Sequence, residues 1–235
     1  MEKFNQENFK KQNNIEVVKI DEAIKKFENT ADARGLGIDK GIIEQVALLD
    51  LLGYFTTASC EGHIDSGLPY GWVDFGSEIE RREQELSKKG ESIYWNVYNN
   101  ARNIANKLEL EKFPNFKEDD TYSDEMSDFW SETFHSQIEN HPDYIKYLEV
   151  SKEIRGERNN LRNNIEKLID EYNEKNPELK ITLQKLGLVR ISFTTDIDSD
   201  DEFNKEEKIL IKNKSDVIAE NFKKFLKEKY YENLL

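Results

Sequence analysis

The stretch "GYFTTASCEGHIDSGLPYGWVDFG" (Gly53–Gly76) decides how the first part of the chain folds. Its two ends, Tyr54–Ser59 and Gly71–Phe75, are rich in aromatic and β-branched residues, which favour β-strands. The segment between them carries residues that are typical of turns: Gly62, Gly67 and Pro69. We therefore expect two short strands joined by a loop, and this loop contains Cys60, the only cysteine of the chain.

Other segments predict that these strands belong to an α+β body. Ile15–Ile20 has the composition of a strand, and Lys180–Thr195 alternates like a pair of strands joined by a tight turn. Together with the first two strands they would form a small mixed or antiparallel sheet. We expect this sheet to be flanked by a helix at Ile42–Leu52 and by a C-terminal helix for which Ser215 is the candidate N-cap.

A long helical arm is predicted within this body. Apolar residues recur at helical spacing over Ser77–Phe113, where Gly90 marks a break, and a shorter helix is expected at Asp124–Phe134. Over Tyr144–Tyr172 they alternate at spacings of three and four, which is the heptad pattern of a helix that packs on another helix. We expect this seam to pack on Ser77–Phe113 as an antiparallel, coiled-coil-like hairpin, or on a second copy of the chain. The predicted division is 15–76, 77–175 and 176–235.

Composition limits the classes of function. The net charge of −14 argues against nucleic-acid binding, because phosphate contacts need clustered Lys and Arg side chains. There is no apolar run long enough to cross a membrane, and the opening residues "MEKFNQENFKKQNN" lack the apolar core of a signal peptide. A single cysteine forms no internal disulfide bond, which is typical of a reducing compartment. We therefore expect a cytoplasmic protein without a membrane partner.

The strongest candidates for chemistry are Cys60, Glu61 and His63. An imidazole close to a thiol lowers the pKa of that thiol and favours the nucleophilic thiolate. We therefore predict that these three residues are catalytic and that Cys60 reacts readily with alkylating reagents. The alternative is that Cys60 is a small buried hydrophobic residue and that His63 is a surface residue that closes a turn.

The same loop also suits binding. Backbone N–H groups and hydroxyl groups of a glycine-rich turn bind anionic ligands, and aromatic residues suit the edge of a ligand site. The candidate ligand-binding residues are Thr57, Ser59, Gly62, Tyr70 and Trp72. The Cys-x-x-His spacing also offers two metal ligands, but His135 and His141 have a spacing that no short ligand motif uses. We therefore predict no metal site.

Three motifs carry a resemblance to known proteins: "TTASCEGH" (Thr56–His63), "PYGWV" (Pro69–Val73) and "FKKFL" (Phe222–Leu226). On the basis of these motifs, the chain resembles a family of uncharacterised bacterial and phage proteins with a T-x-x-SCEGH…PY-x-WV signature. The resemblance covers most of the chain. That resemblance implies no known activity.

A more local resemblance covers Asp39 to Phe75. This segment is similar to the wybutosine-synthesis methyltransferases, which modify a guanosine of transfer RNA with S-adenosylmethionine. The residues at matching positions are Thr56, Thr57, Ser59, Cys60 and Gly62, whereas Glu61 and His63 replace small and basic residues of that family. The resemblance implies S-adenosylmethionine as a cofactor.

Two functions follow as expectations. The first is a protein that binds a small or nucleotide-like ligand at the Ser59–His63 loop and is distantly related to transfer-RNA-modifying methyltransferases. The second is a non-enzymatic interaction protein, of phage or accessory type, that binds a protein partner through its helical arm.

Overall fold

The structure is a computed structural model that describes residues 19–30, 37–65, 67–114, 123–184, 189–194 and 203–234. The helices are α1 (19–28), α2 (Ile43–Leu51), α3 (Glu78–Lys88), α4 (Ile93–Lys112), α5 (Asp124–Glu139), α6 (Tyr144–Lys175) and α7 (Lys205–Glu232). The strands are β1 (Thr56–Cys60), β2 (Trp72–Phe75), β3 (Thr182–Leu183) and β4 (Val189–Ser192). The predicted α+β class is confirmed. No helix in the described ranges combines the length and apolarity needed to cross a membrane.

The described residues form two compact units. The first unit contains the described residues up to Gly76 and those from Leu161 onward, and the second unit is Ser77–Asn160. The sequence placed the second boundary after Lys175. In the structure it falls inside α6 at Leu161, because the C-terminal half of this helix contributes side chains to the core of the first unit.

The sheet of the first unit is antiparallel, with the strand order β1-β2-β4-β3. Val73 lies opposite Ile191, and both side chains are fully buried on the face of the sheet that meets the core. On the other face Arg190 lies opposite Asp74 and forms two hydrogen bonds with it, from Nε to Oδ1 at 2.6 Å and from Nη2 to Oδ2 at 2.8 Å. The register of β1 shifts between Thr56 and Ala58, which marks a β-bulge or irregularity in this strand.

Three of the four predicted strand regions are confirmed, and the fourth is not. Of Ile15–Ile20, residues 15–18 lie outside the described residues, and residues 19 and 20 begin α1. The buried side chains of this helix follow helical spacing: Ile20, Ala23 and Phe27. The period of the apolar residues therefore continues as a helix, and the prediction of a strand is wrong where it can be checked.

The core of the first unit joins α2, α7, the sheet and the second half of α6. The ring of Tyr172 in α6 meets the rings of Phe222 and Phe225 in α7 edge-on, at centroid distances of 5.2 and 5.5 Å. Ile165 and Leu168 belong to the same core. The expectation that this part of the heptad seam packs on Ser77–Phe113 is therefore wrong, since α7 and the sheet cover it.

In the second unit α4 pairs mainly with α5. The contacts run antiparallel, because Phe113 meets Phe129 whereas Tyr98, earlier in α4, meets Phe134, later in α5. The start of α6 joins them through Tyr147, whose ring stacks on Tyr94 at 5.2 Å. The predicted break at Gly90 is confirmed, since this residue has a positive φ of 72° between α3 and α4.

The last helix begins earlier than the sequence suggested. Its N-cap is Asn204, whose side chain accepts from the backbone N–H groups of Glu206 and Glu207. Ser215 therefore lies inside α7 and is buried. Its hydroxyl oxygen accepts a hydrogen bond from the backbone N–H of Gly71 at 2.9 Å, so it fixes the start of β2 beside the Cys60 loop.

Candidate functional site

A tight turn at Gly62 shapes the loop that follows β1. Gly62 has a positive φ of 85°, and a Cβ atom added there would lie 2.6 Å from the backbone carbonyl carbon of Tyr70. A side chain is therefore excluded by both the backbone conformation and the lack of space. The turn is closed by the N–H of His63, which donates to the carbonyl oxygen of Leu68 at 2.9 Å.

Asp39 meets this loop from the segment before α2. Its Oδ2 atom accepts the backbone N–H of Glu61 at 3.1 Å and lies 3.3 Å from Nε2 of His63. One carboxylate oxygen of Asp39, Sγ of Cys60 and a ring nitrogen of His63 all lie within 4.8 Å of one another. The structure therefore joins Cys60 and His63, as the sequence predicted, and adds a carboxylate that the sequence analysis missed.

Glu61 is directed elsewhere. Its Oε2 atom accepts the backbone N–H of Gly41 at 2.7 Å, and its side chain lines a cleft beside the loop. Cys60, Glu61 and His63 thus do not converge on one point, although they are close in sequence. Their proposed catalytic role stays a prediction.

The surroundings of Cys60 oppose the expected activation of its thiol, and its reactivity stays a prediction. Burial raises the pKa of the Cys60 thiol, and the negative charges of Asp39 and Glu61 raise it further. The backbone N–H of Gly62, 3.3 Å from Sγ, opposes this effect but does not outweigh it. The surroundings of Cys60 therefore favour the neutral thiol over the nucleophilic thiolate.

The predicted ligand-binding residues are dispersed. Trp72 lies opposite Cys60 in the sheet, and its ring is covered by the guanidinium of Arg190, whose carbon is 4.0 Å from the ring centroid. Tyr70 is buried under the Gly62 turn. Thr57 is exposed near the other end of β1, and Ser59 is half-buried between them. Gly62 and Trp72 therefore lie next to Cys60, whereas Thr57 lies near the other end of the strand.

The two other histidines belong to the second unit. His135 lies in α5 beside the ring of Phe134, and Nδ1 of His141 accepts the backbone N–H of Asp143 at 3.2 Å. The sequence analysis expected both to be exposed polar residues; His135 is exposed, whereas His141 is half-buried.

The cleft beside Glu61 has a volume of about 330 Å³. Its walls include Gln45 from α2, Phe193 after β4, and charged side chains of α7: Lys212, Asp216 and Glu220. Gln45 is only 2% exposed, and its Nε2 atom donates to the carbonyl oxygen of Ala219 at 3.3 Å. Its Oε1 atom is buried without a hydrogen-bond partner among the described residues.

Sequence reasoning missed Gln45, although one signal was available. Gln45 is a polar residue inside the apolar stripe of α2, between the buried Ile43 and Val46. Buried polar side chains usually have hydrogen-bond partners, so an amide in such a stripe indicates either a structural hydrogen bond or a binding role.

Comparisons of this chain with protein-family models, with curated proteins and with solved structures found no match.

Proposed function

We propose that this protein binds a small ligand rich in N–H donors in the cleft beside the Cys60 loop, and that Gln45 and Glu61 recognise it. The observation that carries this proposal is the buried Oε1 atom of Gln45, which lacks a partner among the described residues. This residue lines the cleft together with Glu61. A small or nucleotide-like ligand, as expected from the sequence, would then bind in the cleft beside the Ser59–His63 loop and not in the loop itself.

The orientation of the Gln45 amide is set by its surroundings. Its nitrogen must face Ala219, because a carbonyl oxygen accepts hydrogen bonds and cannot donate them. The amide oxygen is then left without a partner, and burying such an acceptor costs about 1–3 kcal/mol. A ligand N–H placed in the cleft would remove this cost.

The charges of the cleft support the same class of ligand. Three carboxylates line it, from Glu61, Asp216 and Glu220, against one ammonium group, from Lys212. Lys212 is paired with Asp216 at 2.5 Å, and Glu220 is paired with Lys223 at 2.5 Å. Glu61 therefore supplies the carboxylate without a lysine partner among the described ion pairs. An ammonium, a guanidinium or an amino group of a nucleobase suits these acceptors, and a polyphosphate does not.

S-adenosylmethionine is a suitable first probe. It carries a sulfonium charge, an ammonium group and the amino group of adenine, and it is the cofactor implied by the local resemblance of Asp39–Phe75. The cleft volume of about 330 Å³ falls within the range of roughly 300–1,000 Å³ that is typical of small-molecule sites.

Calorimetric titration of the full chain tests the proposal. The probes are S-adenosylmethionine, agmatine, which carries a guanidinium and an ammonium group, and ATP as the anionic comparison. We expect at least one of the first two probes to bind more tightly than ATP. Gln45→Met and Glu61→Gln should each weaken that binding by about tenfold or more, as expected for the loss of a hydrogen bond to a buried or charged group.

Stability measurements separate a binding role from a structural one. Gln45→Met removes an unsatisfied buried acceptor together with the hydrogen bond from Nε2 to Ala219, so the stability of the ligand-free variant should stay within about 1 kcal/mol of the wild type. Gln84→Met makes the same chemical change at an exposed position of α3 and should leave binding unchanged. The proposal is overturned if neither donor-rich probe binds, if ATP binds best, or if Gln45→Met binds the probe as tightly as the wild type.

The alternative function, a non-enzymatic interaction through the helical arm, stays a prediction. Two large apolar side chains at the start of α6 are exposed, Ile145 at 73% and Leu148 at 46%. Such scattered exposed residues are common on monomeric proteins, so they are weak support for an interaction through the arm. The buried Oε1 atom of Gln45 is stronger support for ligand binding.

A further inference from the structure

We infer that Asp39, Cys60 and His63 bind a divalent transition-metal ion, and that zinc fits them best. Their ligand atoms, one oxygen, one sulfur and one nitrogen, lie within 4.8 Å of one another. Ligand atoms of a tetrahedral zinc ion are about 3.3–3.8 Å apart, because the bonds are about 2.0–2.3 Å long. Side-chain rotations that shorten the largest separation by about 1 Å would therefore complete the arrangement.

Each ligand is held by a different part of the first unit. The carbonyl oxygen of Asp39 accepts the N–H of Ile42 in the turn that starts α2, at 3.1 Å. Cys60 is the last residue of β1, and His63 is fixed by its backbone hydrogen bond to Leu68. The N–H of Glu61 also donates to Oδ2 of Asp39, which orients this carboxylate toward the loop. Such support of a ligand by its neighbours is typical of metal sites.

The chemistry of the three ligands selects the ion. A thiolate and an imidazole prefer zinc and related transition metals, whereas magnesium and calcium prefer sites made of oxygen atoms alone. An ion pair between Asp39 and His63 would also explain the approach of those two side chains, and Sγ of Cys60 accepts the N–H of Gly62 at 3.3 Å. A metal ion would engage all three side chains at once.

The site has the form of a catalytic metal centre more than a structural one. The side chain of His63 is 44% exposed and that of Asp39 is 29% exposed, so one side of the cluster faces solvent. Structural zinc sites have four protein ligands, whereas catalytic sites keep a position for water or substrate. This inference opposes the prediction of no metal site, which considered Cys60 and the histidines without Asp39.

Cobalt substitution provides the first test. Full-length protein that has been treated with a chelator is titrated with Co²⁺, which reports tetrahedral ligation through visible d–d bands and thiolate ligation through a near-ultraviolet charge-transfer band. We expect one ion per chain with both signals, displaced by zinc. Chelation should leave the far-ultraviolet circular dichroism unchanged, because the core of the first unit does not include the site.

Variants assign the ligands. Cys60→Ser should abolish the charge-transfer band. His63→Ala and Asp39→Asn should each weaken cobalt binding by at least about 100-fold, because losing a ligand should reduce the metal affinity at least as much as the 10–100-fold that is typical of losing a residue that supports a ligand. Asp65→Asn and His135→Ala are the matched controls, since both alter exposed residues outside the cluster. Thermal unfolding of each variant verifies that it is folded.

The outcomes are distinct from those of the ligand proposal. Gln45→Met should bind Co²⁺ like the wild type, so a failure of ligand binding leaves the metal result unaffected. The inference is overturned if no ion binds, if binding lacks the charge-transfer band, or if Cys60→Ser and His63→Ala bind as tightly as the wild type. The last result would indicate nonspecific binding to the acidic surface.

Discussion

Replacing Arg190 by Met should destabilise the first unit strongly, because it leaves a buried carboxylate without its partner. Asp74 is only 4% exposed, and both of its oxygens accept hydrogen bonds from Arg190. The methionine keeps an aliphatic side chain but provides neither the donors nor the guanidinium that covers Trp72. Breaking a buried ion pair from one side typically costs about 3–5 kcal/mol.

The magnitude follows from the burial of Asp74. Its side chain is only 6% exposed, so water cannot replace the two donors that Arg190 supplies. Hydrogen bonds to charged groups contribute about 1.5–3 kcal/mol each, so the loss of two such bonds agrees with the cost of breaking a buried ion pair from one side. We expect Arg190→Met to lose about 3–4 kcal/mol of unfolding free energy at pH 7.

Urea unfolding followed by far-ultraviolet circular dichroism measures this difference. The double variant Asp74→Leu with Arg190→Met removes both charges, so it should recover to within about 1–2 kcal/mol of the wild type. Arg102→Met changes an exposed arginine of α4 and should alter stability by less than about 0.5 kcal/mol. The reasoning is refuted if Arg190→Met costs less than about 1 kcal/mol at pH 7, or if the double variant is as unstable as the sum of the single variants.

Three further predictions concern other parts of the chain. Burial raises the pKa of Glu44, but hydrogen bonds and charges of Lys227 and Lys223 outweigh it and hold that pKa below its ordinary value. The stabilisation from Glu44 is therefore complete above the usual glutamate pKa of about 4.3 and is lost as pH falls through the lowered value, so Glu44→Gln should cost about 1 kcal/mol at neutral pH and less in acid, by urea unfolding. Gly62→Ala should lower the free energy of unfolding by about 3 kcal/mol in thermal unfolding, because backbone strain and a clash with Tyr70 combine. Gly67 also has a positive φ but has open space around it, so Gly67→Ala should lower it by only about 1 kcal/mol. Equal losses would contradict this explanation. Ile165→Ala should lower the free energy of unfolding by about 2–5 kcal/mol and reduce hydrogen-exchange protection in α7, because Ile165 belongs to the core of the first unit. Ile138→Ala should instead reduce protection in α4. The reverse pattern would contradict the observed boundary inside α6.

Local signals in the sequence predicted most of the elements. The two strands around the Cys60 loop follow from their aromatic and β-branched residues, and the break at Gly90 follows from the cost of glycine in a helix. The heptad pattern of α6 correctly predicted a long helix with an apolar face. It could not identify the partner, because periodicity defines which side chains face inward and not which element covers them. One continuous stripe therefore serves two cores, and the sequence assigned it to one.

The candidate site was predicted only where its residues are neighbours in sequence. Cys60 and His63 share one loop, but Asp39 and Gln45 reach the region from the segment before α2 and from α2 itself. Contacts of this kind depend on how the helix packs against the sheet, which no local pattern records. The same reason explains Ser215. Serine is a common N-cap residue, but here its hydroxyl accepts a hydrogen bond from the backbone N–H of Gly71, which is distant in sequence.

The irregular register of β1 has a consequence for how the protein behaves at high concentration. Among the described strands, β1 and β3 are the outer members of the sheet, and outer strands offer unpaired backbone groups to other molecules. The irregularity between Thr56 and Ala58 interrupts the first of these edges, and the second is only two residues long. Neither edge therefore presents the long, flat row of backbone groups to which strands of other molecules add. This geometry disfavours fibril-like association, although β1 contains no charged residue of the kind that often protects edge strands.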